Sequence, residues 1–378
     1  MKGRSAKNMT LLGPVLPAAD PGRMPHPKGT ARPRVRTLWI RTASGPAIGF
    51  GHLRRSLILA RRLRSFARPV FLLDPEDIWS RKEVSCRRLD VIDYCARQPW
   101  PDRACPAALL IDTRRRPGIR LLVREAHRRG IPVISIHDLG LMSIPSDMAI
   151  DGSIRPFAGG FPPQGRISFG GPEYLVLDPA FAALHLRPKR VKQELRRLTV
   201  NLGGGNSRRY FENVLQGLQA AGLDAEVIGI PGFMDWGQRE FERTDRRALR
   251  FRWAAPGETV AELLWSADLA ITAGGLSAYE ALCVGTPLCA LSWDRHQRVT
   301  VKALAREGAC LDLGAGSSLQ PRRMAARIAR LGRDPGHRRR LSRRGRQLVD
   351  GLGVRRVAGR IRALAAGRAR RSEMEVAP

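Results

Sequence analysis

The sequence predicts an α/β protein made of two doubly wound, Rossmann-like domains that face each other across a cleft. Three observations lead to that class. A strand, a glycine loop and a helix follow one another near the start of the chain and again from residue 198. In each half, short apolar runs alternate with segments of helical periodicity, the order a parallel sheet requires. The 378 residues also exceed what one ordinary core holds, and a hydrophobic content of 43% is enough to fill two. The charged stretch 186–197 divides them. The expected domains are therefore 35–188 and 189–355, preceded by a basic, Pro-rich extension over 1–34 and followed by a basic tail over 356–378.

Residues 1–34 carry Pro, Gly and basic residues without periodicity, the composition of a disordered segment. The first strand is expected at 35–41. The loop TASGPAIGFGH (42–52) follows, then a helix with Leu53, Leu57, Ala60 and Leu63 on one face and arginines around the rest. Gly49 and Gly51 alone are weak evidence for a phosphate loop, because the third glycine of the dinucleotide fingerprint is missing. His52 stands where the helix begins, near its positive end. That position favours a neutral imidazole able to accept a proton, so His52 is either a general base or a hydrogen-bonding partner of the preceding loop.

Further strands are expected at 70–73, at 107–111 ending in Asp112, and at 133–136 ending in His137 and Asp138, with a helix at 119–129. Ligands of such sheets sit beyond the carboxyl ends of the strands. Asp112 and Asp138 are therefore site candidates beside His52, the alternative being a cap or loop hydrogen bond. A segment at 148–150 precedes a Gly/Pro-rich loop over 152–171, in which FGGPEYLVLDPAF (169–181) is expected to line the cleft.

The second half repeats the opening unit: a strand at 198–202, the loop Gly203-Gly204-Gly205-Asn206 and a helix at 210–221. Strands at 225–230 and 251–253 and a helix at 259–265 lead to the stretch around which the chain is organised, SADLAITAGGLSAYEALCVGTPLCALSWDRHQ (266–297). It reads as a buried strand (269–272), the turn Gly274-Gly275, a helix (277–284) and a second strand (288–291). Glycines let a ligand approach the backbone, Ser277 is placed to cap the helix, and the first-turn N–H groups make an anion site. Glu280, three residues after Ser277, is either a capping-box partner or a carboxylate that accepts a sugar's hydroxyl pair. A helix at 297–306, a strand at 310–313 and arginine-rich helices from 321 complete the chain.

The formal charge of +32 is mostly peripheral. Residues 1–36 supply +7 and residues 321–378 supply +14, leaving +11 for the 284 residues between them. With seven lysines among 66 basic residues, arginine is a compositional habit, and nucleic-acid contact by the tails is disfavoured against solvated helix faces. The six cysteines form no CxxC pair and no metal-type spacing, which points to reduced thiols in a cytoplasmic protein and to no metal or other cofactor. No apolar run approaches the roughly 20 residues of a membrane helix. The stretch 9–19, broken by Gly13, Pro14 and Pro17, makes a poor signal peptide. A monomer is expected.

Four stretches in order, GFGHLRRSLILA (49–60), FGGPEYLVLDPAF (169–181), LTVNLGGGN (198–206) and ADLAITAGGLSAYEALCVGTP (267–287) followed by Gln297, make the chain resemble a known family. It is that of the sugar-nucleotide hydrolases of the pseudaminic acid pathway, which share the GT-B fold of the peptidoglycan N-acetylglucosaminyltransferase. The resemblance covers about residues 36–315. It implies that the second domain holds UDP, with the diphosphate at the helix start from Gly274 to Ser277, the ribose on Glu280, and Gln297 near the sugar or phosphate. It further implies that His52 and Asp112 position and activate water against the anomeric carbon. Gly49, Gly51, Arg55, Asp138, Tyr174, Gly204, Gly205 and Asn206 are the remaining expected substrate contacts. The implied reaction is hydrolysis of UDP-2,4-diacetamido-2,4,6-trideoxy-β-L-altropyranose to UDP and the free sugar. Three pieces depart from the family pattern: Asp112-Thr113-Arg114 for its Asp-x-Tyr, His137-Asp138 for its Asp-Asp, and His296-Gln297 for its Asn-Gln. The competing readings are a glycosyltransferase of the same architecture using a UDP-sugar donor, and a non-catalytic nucleotide-binding protein whose basic tails contact nucleic acid.

Overall fold

Strands buried on both faces read as unbroken apolar runs, and two such runs, ALLID and LAITA, each lie inside a parallel sheet. The computed structural model describes residues 36–45, 48–101, 105–140, 142–158, 167–203, 208–232 and 249–375, with side chains to 367. The expected extension over 1–34 lies outside the described residues, as do Gly204, Gly205 and Asn206 of the second glycine loop.

Among the described residues the first sheet has strands β1 (Thr37–Thr42), β2 (Arg68–Leu73), β3 (Asp90–Asp93), β4 (Ala108–Asp112), β5 (Val133–His137), β6 (Met148–Asp151) and β7 (Ile167–Gly170). Their spatial order is β3-β2-β1-β4-β5-β6-β7, all parallel. Helices α1 (Gly51–Leu63), α2 (Ile78–Cys86) and α3 (Ile119–Arg128) connect them. α4 (Pro179–His185) leads to the second sheet, with β8 (Arg197–Asn201), β9 (Glu226–Gly229), β10 (Phe251–Trp253), β11 (Leu269–Ala273), β12 (Leu288–Ser292) and β13 (Leu311–Ala315). These are parallel in the order β10-β9-β8-β11-β12-β13. Around them lie α5 (Arg208–Ala220), α6 (Val260–Ser266), α7 (Leu276–Val284), α8 (Arg295–Arg306), α9 (Pro321–Gly332), α10 (Pro335–Leu348) and α11 (Gly353–Glu375).

In both sheets the chain reverses direction of growth beside the first strand: at β1/β4 in one, at β8/β11 in the other. An open α/β sheet binds ligands at such a switch point. The registers place Thr42 opposite Asp112 at the carboxyl end of the first pair, and Asn201 opposite Thr272 in the second.

One sequence reading is corrected by the strands and helices that follow β6. The stretch 152–171 with FGGPEYLVLDPAF is not one long loop: it contains β7, a short 3-10 turn at Pro172–Tyr174 and α4. α4 starts because Asp178 accepts a hydrogen bond from the Ala180 N–H and Pro179 opens the helix. The basic stretch over 356–378 is helical to Glu375, in keeping with the arginine-rich helices expected from 321. Val354, Val357, Ala358, Ile361 and Ala365 recur at helical spacing and are buried in the core of the first sheet, so α11 crosses back from the second half to pack on the first. Arg362 anchors it by donating to the Arg62 carbonyl at 3.1 Å and to Ser65 Oγ at 3.0 Å.

Several arginines are structural as well. Arg41, 1% exposed, pairs with Asp74 at 2.8 Å, and Arg338 donates to the carbonyls of Lys192 and Leu331 at 2.9 and 3.2 Å. Among the described residues no helix is long and apolar enough to cross a membrane.

Candidate functional site

At the first switch point the loop after β1 closes on itself, Gly49 N–H donating to the Gly45 carbonyl at 2.7 Å. Gly49 takes φ +78°, a left-handed conformation that suits glycine. α1 then begins without a side-chain cap, which puts His52 in its first turn and Arg55 about one turn further along. His52 Nδ1 lies 2.6 Å from Asp112 Oδ1. A carboxylate can only accept, so Nδ1 carries the proton and Nε2 is left as the basic nitrogen. Arg55 donates to both oxygens of Asp112, Nε to Oδ2 at 3.0 Å and Nη2 to Oδ1 at 2.8 Å. The 2.9 Å separation of Arg55 Nη2 from His52 Nδ1 follows from two donors sharing that one oxygen. Burial opposes the charge of Asp112, but Arg55 and then His52 outweigh it and hold its carboxyl below the usual range. Asp112 is wholly buried while His52 lines the cleft. The expected pair is thus brought together, with Arg55 as its third member, and Arg55 also lines the cleft.

At the second switch point Gly274 and Gly275 follow β11, and they are glycines for different reasons. A Cβ on Gly274 would stand 2.6 Å from Val301 Cγ2 and 2.7 Å from the Gln297 carbonyl oxygen, so its smallness lets α8 pack. A Cβ on Gly275 would meet nothing within 4 Å; its backbone borders open space. α7 starts at Leu276, with Gly275 as its cap residue and no side chain bonded to the first N–H groups. The expectation that Ser277 caps this helix is therefore corrected, because the cap position falls on Gly275, two residues earlier. Glu280 accordingly makes no capping box. It is 1% exposed and pairs with Arg54 of α1, Nη1 to Oε1 at 3.0 Å, while Oε2 has no hydrogen-bond partner. Burial pushes the Glu280 carboxyl above its usual range, against the opposing pull of Arg54.

The two switch points open on one cleft of about 730 Å³, within the range of small-molecule sites. His52, Gly49, Gly51 and Asp138 line it from the first half, with Gly274, Gly275, Ser277 and Gln297 from the second. Asp138 accepts from Arg114 Nη2 at 3.1 Å. Gln297 is fixed at both ends: its N–H donates to Asp294 Oδ1 at 2.7 Å and its Oε1 accepts from the Trp293 N–H at 3.3 Å. Tyr174 is not among the lining residues. It packs on Phe169 at 5.2 Å, because the 3-10 turn after edge strand β7 carries it away from the switch point.

Among the lining residues that sequence reasoning missed are Arg54, Tyr210 and Trp293. Tyr210 and Trp293 face each other at 6.0 Å with an interplanar angle of 28°. Both had a positional signal, one in the first turn after the second glycine loop and the other just beyond β12.

No protein-family profile matches the chain. Over 191 residues it is 33% identical to the spore coat polysaccharide biosynthesis protein SpsG of Bacillus subtilis, a match covering 50% of this chain and 56% of that protein. The chain thus spans little more than half the length of this curated relative. Among solved structures, MurG of Acinetobacter baumannii has a TM-score of 0.65 at 14% identity, over 87% of this chain and 99% of that one. The glycosyltransferase of kitacinnamycin has a TM-score of 0.60 at 18% identity, over 88% and 100%. Arabidopsis thaliana UGT89C1 complexed with UDP has a TM-score of 0.58 at 12% identity, over 86% and 99%. At these identities the likeness is one of fold. The chain has the GT-B architecture of two Rossmann-like domains.

Proposed function

We propose that the cleft binds a UDP-linked sugar and that His52 is the general base for attack on the anomeric carbon. The observation that carries this reading is the tautomer of His52: Asp112 holds Nδ1–H at 2.6 Å, which leaves Nε2 basic in the wall of a cleft whose other side holds an uncapped helix start. In this reading the domain of 35–188 carries the sugar and the base, and the domain of 189–355 carries UDP. The diphosphate rests on the first N–H groups of α7 beside Gly275, where backbone donors stabilise the charge of the departing nucleotide. Water gives its proton to His52 Nε2 as its oxygen bonds the anomeric carbon. The carbon–oxygen bond to the diphosphate breaks, and UDP and free sugar leave. A positioned base of this kind contributes about 10²- to 10⁴-fold. The sugar we assign, a 2,4-diacetamido-2,4,6-trideoxy hexose of nonulosonic acid synthesis, rests on the motif resemblance. The polysaccharide role named for the Bacillus subtilis relative supports the wider sugar-nucleotide reading.

A second reading, transfer of the glycosyl group to another acceptor, is favoured by the glycosyltransferases among the structures of the same fold. Incubation with UDP-sugars and no acceptor separates the two. Steady release of UDP with equimolar free sugar is expected for the hydrolase. UDP release only after an acceptor is added establishes the transferase, and no release under either condition overturns the enzyme.

A further inference from the structure

The ion pair between Arg54 and Glu280 joins the two halves of the molecule across the cleft, α1 on one side and α7 on the other. Its members are unequal. Arg54 is 35% exposed in its side chain and lines the cleft; Glu280 is 1% exposed and does not. The second oxygen of Glu280 is buried with no partner, an arrangement that costs free energy unless a ligand completes it. Glu280 also sits about one turn into α7, whose first residues Leu276 and Ser277 line the cleft.

We propose that Arg54 is a specificity-determining residue that selects nucleoside diphosphates over nucleosides by exchanging partners. This rests on the UDP reading of the cleft. With the cleft empty, Arg54 neutralises Glu280 and occupies the approach to it. A ligand carrying both a ribose and a diphosphate lets each group change partner. The guanidinium leaves Glu280 for the diphosphate oxygens, where a charge-assisted bond replaces the one it gave up. The freed carboxylate then accepts hydrogen bonds from the ribose hydroxyl pair, which satisfies Oε2 as well as Oε1. A nucleoside without phosphates can make only half of this exchange. To reach Glu280 it must break the ion pair and leave Arg54 without a counter-charge, so its apparent affinity is reduced by the small population of the open state.

Calorimetric titration of the full chain with UDP and with uridine tests the exchange. Arg54→Ala is expected to weaken UDP binding roughly 10- to 100-fold, the loss of a hydrogen bond to a charged group. The same change is expected to tighten uridine binding roughly 3- to 10-fold, because the carboxylate is no longer masked. Arg54→Met, which keeps the length of the side chain without its charge, is expected to shift both ligands in the same two directions. A thermal melt of each variant checks that it is folded. Parallel weakening of both ligands, or unchanged binding of both, overturns the exchange while leaving the UDP reading intact. A wild-type chain that takes up neither UDP nor uridine overturns both together.

Discussion

The two glycine-loop crevices occupy the same topological place in their sheets and are built from different chemistry. At the β1/β4 switch point the strand-end pair is Thr42 and Asp112, and the candidate groups are side chains: an imidazole and a guanidinium, both bonded to one carboxylate. At the β8/β11 switch point the corresponding pair is Asn201 and Thr272, and among the described residues the main chain around Gly275 and the start of α7 borders the cleft, beside Asn201, Asp294 and Gln297. In the proposed function, one crevice needs groups whose protonation is set by neighbours, and the other needs fixed dipoles and room for a ligand to reach the backbone. Two sheets of the same strand order thus present equivalent crevices whose strand-end residues differ.

The largest expected effect breaks this division on the side-chain half. His52→Asn keeps a hydrogen-bonding group of similar reach but removes the basic nitrogen. Turnover of a UDP-sugar is expected to fall about 10²- to 10⁴-fold, while the affinity for UDP, read by calorimetry, stays within about twofold. Equal loss of binding and turnover would place His52 in nucleotide binding and erase the contrast.

Asp112→Ala is the next largest. It leaves the Arg55 guanidinium buried without its partner, a change expected to cost about 3–5 kcal/mol of stability at neutral pH. The cost is pH dependent with a definite sign. Despite burial, Arg55 and His52 keep the folded-state carboxyl below its ordinary value of about 3.9. The stabilisation is therefore complete above that value and is lost as pH falls through the lower folded one. Chemical denaturation of both proteins from pH 7 down to about pH 3 should show the gap between them narrowing in acid. A constant gap would mean that Asp112 acts through packing alone.

The same contrast explains what could be read without coordinates. Sheet centres were legible because strands such as ALLID and LAITA are apolar throughout, and His52 and Asp112 were legible because both sit at ends that the switch-point rule singles out. The edge strands of the first sheet were not. DVID of β3 and ISFG of β7 are partly or largely exposed, so their apolar periodicity is weak. The packing of α11 on the first sheet was hidden by its arginines, although the spacing of Val354, Val357, Ala358, Ile361 and Ala365 carried the signal. The partner of Glu280 could not be inferred from local spacing, which suggested a capping box with Ser277, because the true partner comes from the other half of the molecule. Nothing in the dipeptide Gly274-Gly275 says which glycine serves packing and which serves a ligand.

That last ambiguity gives the finest test of the comparison. Gly274 is enclosed: an added methyl would press on Val301 and on the backbone of α8 at 2.6–2.7 Å, and main chain yields less readily than the end of a flexible side chain. Gly274→Ala is therefore expected to lower stability by about 1–3 kcal/mol, the usual range for overpacking. Gly275 has nothing within 4 Å of the same methyl and holds a φ of −105°, which alanine adopts freely. Gly275→Ala is expected to cost less than about 1 kcal/mol, the scale of a poorer helix cap, while its methyl stands where the diphosphate would approach the first N–H groups of α7. Thermal melts and UDP titrations of the two variants should then separate cleanly: Gly274→Ala melts lower, and Gly275→Ala melts nearly as the parent but binds UDP more weakly. If Gly275→Ala binds UDP as the parent does, the nucleotide does not lie on this turn, and the main-chain half of the comparison loses its ligand.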